Sequence, residues 1–465
     1  MILVSISDIH NNCIKINSQI KINGWIKSKR DSKIGLSFIH VSDGSHIFDL
    51  QVIAKKNLKN YFSEILKLST GCSICINGKL IFSTGKKQKY ELLADKIKIF
   101  GWIKNNNTYP ISPKKHTLEY LRDVSHLRSR TNIISSISRI RNSVLHSMHN
   151  FLFEKKYFWI PTPIITSIDA EGSGSMFTIS SKKNISTKKN IQKDYNSKYF
   201  FSKKVFLSVS GQLTLETYSS SLSKVYTFGP IFRAENSNTS RHLSEFWMLE
   251  VETSFHILQD IIIFSENLLK NIFSYVLKIN EEEIFFLSNY LKTDLKNRLL
   301  SFIKNGFIII EYKEAIKILN KFYNFSNKKI IFGHNLSSDQ EKYLSEKYFK
   351  SVIVIINYPK DLKAFYMKLN KDKKTVAAMD VLFPYVGEII GGSEREDRLF
   401  KLDQRMLEMQ LKKEDYWWYR DLRKYGTVPH AGFGIGFERL LMYITGINNI
   451  RDVTPFPRTV NNANF

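Results

Sequence analysis

Cysteine is scarce, with three residues in a chain of 465. That excludes a scaffold built on disulfides. Cys72 and Cys75 form one C-x-x-C with no second pair and no histidine cluster nearby. A zinc site is therefore not expected, and both read as small apolar strand residues. Long hydrophobic runs are missing too: no stretch stays apolar over the roughly 20 residues that a bilayer-spanning helix needs. The opening MILVSISDIHNN lacks the basic segment and apolar core of a secretory leader. These absences predict a cytoplasmic protein without a membrane partner. Acidic residues are in deficit, 43 Asp+Glu against 69 Lys+Arg, for a formal net charge of +26. Such a surplus attracts polyanions, nucleic acid first. The chain is equally rich in Lys, Ile, Asn and Phe, as A/T-biased coding produces, and charge alone does not separate these two origins.

What is present divides along the chain. Residues 1–104 alternate β-branched and polar residues between Gly, Asp-Gly and Ser turns, in stretches such as INGWIKSKRD, LSFIHVSDGS and ICINGKLIFS. Five strands of this kind predict a small β-barrel. A connector follows over 105–130, and 131–465 reads as a second, larger domain. It opens with a helix through SISRIRNSVLHSMHNFLFEKK, which gives way to extended YFWIPTPII, where two prolines bar helix. Residues 181–199 are low-complexity and polar, a surface loop. VFLSVSGQLTLETY, KVYTFGPIFRAENSN and SRHLSEFWMLEVETSF read as antiparallel strands, and roughly 258–350 as a helical insertion. Strand patterns return in SVIVIINYP, KTVAAMDVLFPYVGEIIGG and HAGFGIG. The expected class is α+β, an antiparallel sheet flanked by helices without β-α alternation.

Three segments carry chemistry. In TFGPIFRAENSNTSRHLSEF a strand brings Arg233 and Glu235 to one face, and the returning chain supplies Arg241, His242 and Phe246. Guanidinium forks suit phosphates, and a phenylalanine can stack on a purine. In MDVLFPYVGEIIGGSER, Asp380 and Glu388 are candidate ligands for a hard cation such as Mg2+ bridged to substrate phosphates, and Gly391-Gly392 lets backbone approach a ligand. In HAGFGIGFERL, glycines up to Gly436 lead to Arg439 at a helix head, where the dipole favours anions. No Gly-Lys-Ser/Thr follows, so this is not the usual mononucleotide loop. Read alone, each segment also fits an ordinary surface hairpin or a charged turn.

FRAE, GEIIGGSER and GFGIGFER resemble motif two, the metal-binding strand and motif three of class II aminoacyl-tRNA synthetases, and KKYFWIPTPII resembles motif one, whose proline supports a homodimer interface. The N-terminal barrel resembles the anticodon-binding OB domain of the aspartyl/asparaginyl/lysyl subgroup. NYPKDLKAFYMKLN, KEDYWWYRDLRKYGTVPHAGFG and NIRDVTPFPRT resemble asparaginyl-tRNA synthetases of bacterial type, so the similarity runs in order through the whole chain.

The resemblance implies ATP-dependent joining of L-asparagine to tRNA(Asn) through an asparaginyl-adenylate. By similarity, Arg233 binds the α-phosphate, Phe246 stacks on adenine, and Arg241, His242 and Arg439 hold the β/γ-phosphates, with Gly436 beside them. Glu388, with Asp380, carries Mg2+. Arg233, Glu388 and Arg439 are the implied catalytic residues. Glu171 and Gln212 match positions that hold the substrate α-amino group. Arg395 donates to the side-chain amide oxygen, and Glu235 accepts from its nitrogen. Aspartyl enzymes carry a lysine three residues after the glutamine, where this chain has Leu215. A glutamate about 4 Å from a substrate carboxylate costs on the order of 4 kcal/mol at an effective dielectric near 20, roughly a thousandfold discrimination. Aspartate charging, alone or in addition, is the alternative. A catalytically dead tRNA-binding paralogue is disfavoured because Arg233, Glu388 and Arg439 are all present, and an asparagine-making relative because it would lack the barrel. In the barrel, Phe38 and Gln51 match a stacking aromatic and a base-reading amide, with barrel core as the other reading of Phe38. Lys27, Lys29 and Arg30 are expected to meet phosphates. The reading depends on Arg233, Arg395 and Arg439 converging on one triphosphate.

Overall fold

The computed structural model describes residues 2–85, 88–170, 175–180, 200–322 and 329–465. Two compact units emerge, residues 1–138 with Phe465, and residues 139–464.

In the first unit five long strands close on themselves. Strand β1 (Gln19–Ser32) pairs antiparallel with β2 (Leu36–Ser42) and with β4 (Ser73–Phe82); β2 pairs antiparallel with β3 (Leu50–Lys55). Strand β5 (Tyr90–Gly101) runs parallel to β3 and antiparallel to β4, completing the ring. Closure removes the sheet edges that would otherwise invite pairing with other chains. Alternation along each strand fills the interior: Ile39 and Val41 of β2, Val52 and Ala54 of β3 and Ile74 and Ile76 of β4 are buried together, as is Cys72. Gly24 is required by a close approach, since a Cβ there would lie 2.6 Å from the Ser42 carbonyl oxygen. Residues 105–130 carry two short helices, Leu118–Asp123 and Ser125–Arg128.

The second unit is organised by an eight-stranded sheet. In chain order its strands are β6 (Phe158–Trp159), β7 (Lys224–Phe232), β8 (Glu245–Ser254), β9 (Ile308–Glu311), β10 (Ile353–Pro359), β11 (Thr375–Phe383), β12 (Gly387–Glu394) and β13 (His430–Gly436). Their spatial order is β9-β10-β11-β12-β13-β8-β7-β6. The six central strands are antiparallel, and a short parallel strand is added at each edge. Helices α1 (Asn132–Glu154), α2 (Gln212–Leu222), α3 (Leu258–Ile279), α4 (Glu281–Leu291), α5 (Leu295–Asn305) and α6 (Tyr312–Phe322) surround it. Helix α3 shows why its sequence is helical: Ile261, Ile262, Leu268, Leu269, Ile272, Phe273 and Val276 fall on one buried stripe.

One expectation from the sequence is corrected. GQLTLETY is helix α2, not strand. Its Leu-Thr-Leu alternation is too short to separate period 2 from period 3.6, and the buried set Gln212, Leu213, Leu215, Glu216 and Ser219 follows the helical spacing. The insertion at 258–350 is mostly helical and also holds one short strand, Ile308–Glu311, which pairs in parallel with β10. Three isoleucines and a glutamate between helices are too few for a strand to be distinguished by periodicity.

Candidate active site

Strand β7 ends at Phe232, but the ladder persists one residue further, where Arg233 donates its backbone N–H to Ser244 O at 2.9 Å. The chain then loops out and returns in β8, which carries Phe246. The Arg233 guanidinium lies 5.5 Å from the centre of the Phe246 ring. On the other side, β11 places Asp380 opposite Gly391 of β12. A Cβ at Gly391 would sit 3.2 Å from Glu388 Oε1 and 3.9 Å from Asp380 Oδ1, so the missing side chain leaves both carboxylates room above one point. Gly391 in turn faces Gly434 of β13, giving a low floor between the strands. Helix α10 (Phe437–Thr445) starts just after that floor, with Gly436 as its N-cap and the left-handed Gly446 (φ 73°) closing its C-terminus. Helices α7 (Ser338–Lys342), α8 (Leu399–Glu408) and α9 (Trp417–Lys424) precede it in the chain. Arg439 donates through Nη1 to Glu388 O at 2.8 Å, joining helix tip to strand.

These elements enclose a cavity of about 540 Å³, lined among others by Arg233, Glu235, Arg241, His242, Phe246, Asp380, Glu388, Gly436 and Arg439. Nine residues named from the sequence thus meet in one place. Burial pushes the Glu388 carboxyl up, and neighbouring Asp380 adds to it, while Arg439, Lys363 and Arg233 pull it down. Lys363 holds Asp380 through both carboxylate oxygens, at 2.6 and 2.7 Å. Burial, then Arg439, lowers the His242 pKa, and its Nδ1 lies 2.6 Å from Thr239 Oγ1. Two hard oxygen donors at close quarters suit a divalent cation. Among the described residues no group of three or more His, Cys, Asp or Glu is poised to hold a metal, so the remaining ligands would have to be phosphate oxygens or water.

The sequence reading missed Glu341 of α7. Burial and the facing Glu388 and Asp380 push its pKa up to about 7. It comes from the insertion, and nothing in EKYLSEKYF marks it. Lys363 was also overlooked, although it lies in the NYPKDLKAFYMKLN segment.

Other named residues fall outside the cavity lining. Arg395 is corrected: it is buried against Glu252, donates to Ser393 Oγ at 2.5 Å, and its guanidinium lies 5.4 Å from the ring of Tyr366, itself part of the cavity wall. Its expected place beside Arg233 and Arg439 is taken by Arg241. Gln212 and Leu215 are buried on α2, and the Gln212 amide donates to Glu216 Oε1 at 3.1 Å. Glu171 lies outside the described residues.

On the barrel, β2 and β3 put Phe38, His40, Gln51 and Ile53 on one face, since Phe38 pairs with Ile53 and His40 with Gln51. Phe38 is half-buried under Arg30, whose guanidinium is 5.5 Å from its ring. Gln51 donates to Glu91 Oε1 at 2.8 Å. Lys27 and Lys29 differ from expectation: Lys27 donates to the Arg130 carbonyl, and Lys29 to the carbonyls of Ile65 and Leu66 at 2.9 and 2.7 Å. Both ammonium groups are engaged by the protein's own backbone, which alternate side-chain directions in a bulged strand do not reveal in sequence.

Comparison with known proteins agrees over the whole length. The family model described as tRNA synthetases class II (D, K and N) matches residues 117–460, and the OB-fold nucleic acid binding domain matches 20–100. Asparagine–tRNA ligase of Buchnera aphidicola (subsp. Acyrthosiphon pisum) is 57% identical over 463 residues, 99% of each chain. That of Escherichia coli (strain HS) is 49% identical over 466 residues, 100% of each. The crystal structure of asparaginyl-tRNA synthetase from Pyrococcus horikoshii complexed with asparaginyl-adenylate superposes with a TM-score of 0.86 at 30% identity, covering 99% of both chains. Among the described residues no helix is long and apolar enough to cross a membrane. An arginine-lined cavity on an antiparallel sheet, a closed N-terminal barrel and full-length relatives lead to one statement: the chain belongs to the class II tRNA synthetases (D, K and N).

Proposed function

We propose that this chain ligates L-asparagine to tRNA(Asn) with ATP, through an asparaginyl-adenylate, releasing AMP and pyrophosphate. The observation that carries the reading is the meeting of Arg233, Arg241, Arg439, Glu388 and Asp380 around one cavity of about 540 Å³. Full-length identity to asparagine–tRNA ligases supports asparagine as the amino acid.

The substrate carboxylate is already ionised, so its attack on the α-phosphate needs no general base. The task is to align two anions and neutralise the charge between them. Arg233 takes the α-phosphate with Phe246 beneath the adenine. Arg241, His242 and Arg439 take the β- and γ-phosphates, Arg439 being braced by its bond to the Glu388 carbonyl. Glu388 and Asp380 would hold Mg2+, which would supply neutralisation of phosphate charge. Arg233, Glu388 and Arg439 are the catalytic residues of this proposal. Glu235, within the same wall, accepts from the substrate amide. Gln212, Glu171 and Arg395 complete the amino-acid site, Arg395 donating to the amide oxygen, and Leu215 withholds the cation that would welcome a carboxylate. Arg30, Phe38 and Gln51 form the anticodon face. A homodimer is supported by exposed apolar residues at and beside edge strand β6, where Phe153, Phe158 and Trp159 are 80, 54 and 52% exposed. A cytoplasmic location is inferred from the proposed charging of tRNA.

ATP–pyrophosphate exchange with asparagine and aspartate side by side tests the reading. Asparagine-dependent exchange is expected, and exchange with neither amino acid overturns it. Leu215→Lys is expected to raise aspartate activation relative to asparagine, and an unchanged ratio of kcat/KM counts against the role given to Leu215.

A further inference from the structure

Behind the Tyr366 wall lies a buried charge cluster that the mechanism above does not use. Glu216 of α2 is at its centre. Its Oε2 accepts from Arg423 Nη2 at 2.9 Å and lies 3.0 Å from His430 Nε2. The Tyr419 hydroxyl donates to both oxygens, at 2.9 and 2.8 Å. Burial opposes its charge, but Arg423, His430 and Arg395 outweigh burial and hold this carboxyl well below the usual range.

Glu216 also touches two of the residues assigned to the amino acid. It accepts from the Gln212 amide at 3.1 Å, and its Oε1 lies 3.9 Å from Arg395 Nε. Arg395 is thus met by two carboxylates, Glu252 as its close partner and Glu216 farther off, both approaching its Nε. Two guanidiniums, Arg395 and Arg423, face the carboxylates of Glu216 and Glu252, with buried Glu250 within electrostatic reach of Arg395 and His430 against Glu216; burial pushes the Glu252 pKa up to about 7. With Leu215 apolar and fully buried beside them, the side-chain end of the site has no surplus positive charge. A neutral amide can accept from an arginine so compensated. A substrate carboxylate would be a further buried anion with no cation left to match it.

We propose that Glu216 is a specificity-determining positioning residue: it orients and electrically compensates Arg395, so that the site selects the amide of asparagine over the carboxylate of aspartate. This rests on the proposed function. It assigns a second source of discrimination, separate from Glu235 in the cavity wall.

The test is pyrophosphate exchange by the full chain, reading the ratio of kcat/KM for aspartate to that for asparagine. Glu216→Gln leaves one guanidinium uncompensated and is expected to raise the ratio at least tenfold, about 1.4 kcal/mol. Arg423→Gln removes a positive charge and is expected to move the ratio the opposite way. Glu216→Asp keeps the charge and should keep the ratio within about threefold. A merely structural role predicts the same direction of change, or none, in all three. The proposal is overturned if folded Glu216→Gln stays within twofold of the unaltered chain, or if Arg423→Gln shifts the ratio as Glu216→Gln does. Where melting curves show that Glu216→Gln does not fold, the double variant Glu216→Gln/Arg423→Gln decides, because its balance is restored. A ratio near that of the unaltered chain supports the proposal, and a tenfold shift overturns it. Failure of the unaltered chain to exchange with asparagine would remove the proposed function itself, a result distinct from all of these.

Discussion

Replacing Glu388 by glutamine removes one charge and little volume, and the structure predicts opposite effects on stability and activity. Glu388 and Asp380 reach towards the same point above Gly391, from 3.2 and 3.9 Å. Taking the carboxylates to be roughly 6 Å apart, their repulsion at an effective dielectric near 20 is about 3 kcal/mol. Lys363 on Asp380 and Arg439 near Glu388 offset part of it. A net relief of about 1 kcal/mol remains, worth roughly 1–2 °C in melting temperature for the unit spanning residues 139–464. Folding raises the Glu388 pKa, so its ionised form opposes folding above the unfolded value of 4.5. The gain is therefore fully present above the raised folded-state value and fades as pH falls from there towards 4.5. Activity should go the other way, falling at least about a hundredfold, because charge on the transferring phosphate loses part of its compensation. Thermal melting without nucleotide at about pH 8, paired with pyrophosphate exchange, measures both. A variant that melts below the unaltered chain, or keeps exchange within about fivefold, refutes the reasoning.

Further expectations follow from other parts of the molecule. Arg439→Ala should reduce exchange by about 10²–10³, through loss of a preorganised donor, while melting changes little; unaltered exchange would take Arg439 out of the site. Phe38→Ala should weaken tRNA charging by about 1–3 kcal/mol in kcat/KM and leave asparagine-dependent exchange intact. Equal loss in both assays would show that Phe38 is barrel core. Arg141 donates at 2.9 Å to the buried Glu438, which also accepts from Trp247 N. Arg141→Met strands that carboxylate and should destabilise the protein by about 3–5 kcal/mol, read from denaturant unfolding.

The site was legible where chemistry and local pattern coincide. Arg233, Arg241, Phe246, Glu388 and Arg439 sit in short stretches whose residue types are unusual together, and glycines at 391, 434 and 436 flag close backbone approach. Misreadings came from segments where the local pattern is ambiguous. GQLTLETY satisfies both periods for three residues, and only burial against β7 and β8 makes it helix. Lys27 and Lys29 look like phosphate contacts because a lysine's reach is visible in sequence and its nearest carbonyl is not. Arg395, expected to converge with Arg233 and Arg439 while reaching the substrate amide, turns across the pleat to Glu252.

By itself the sequence determined the closed barrel, the antiparallel sheet and the positions of the phosphate-seeking arginines. Those properties follow from residue type and short-range periodicity, which need no partner to be read. Tertiary structure alone decided which carboxylates meet: Glu341 near Glu388 and Asp380, and Glu216 with Glu252 around Arg395. Such encounters join residues up to 180 positions apart, and the energy of a buried charge depends on its neighbours in space, not in sequence.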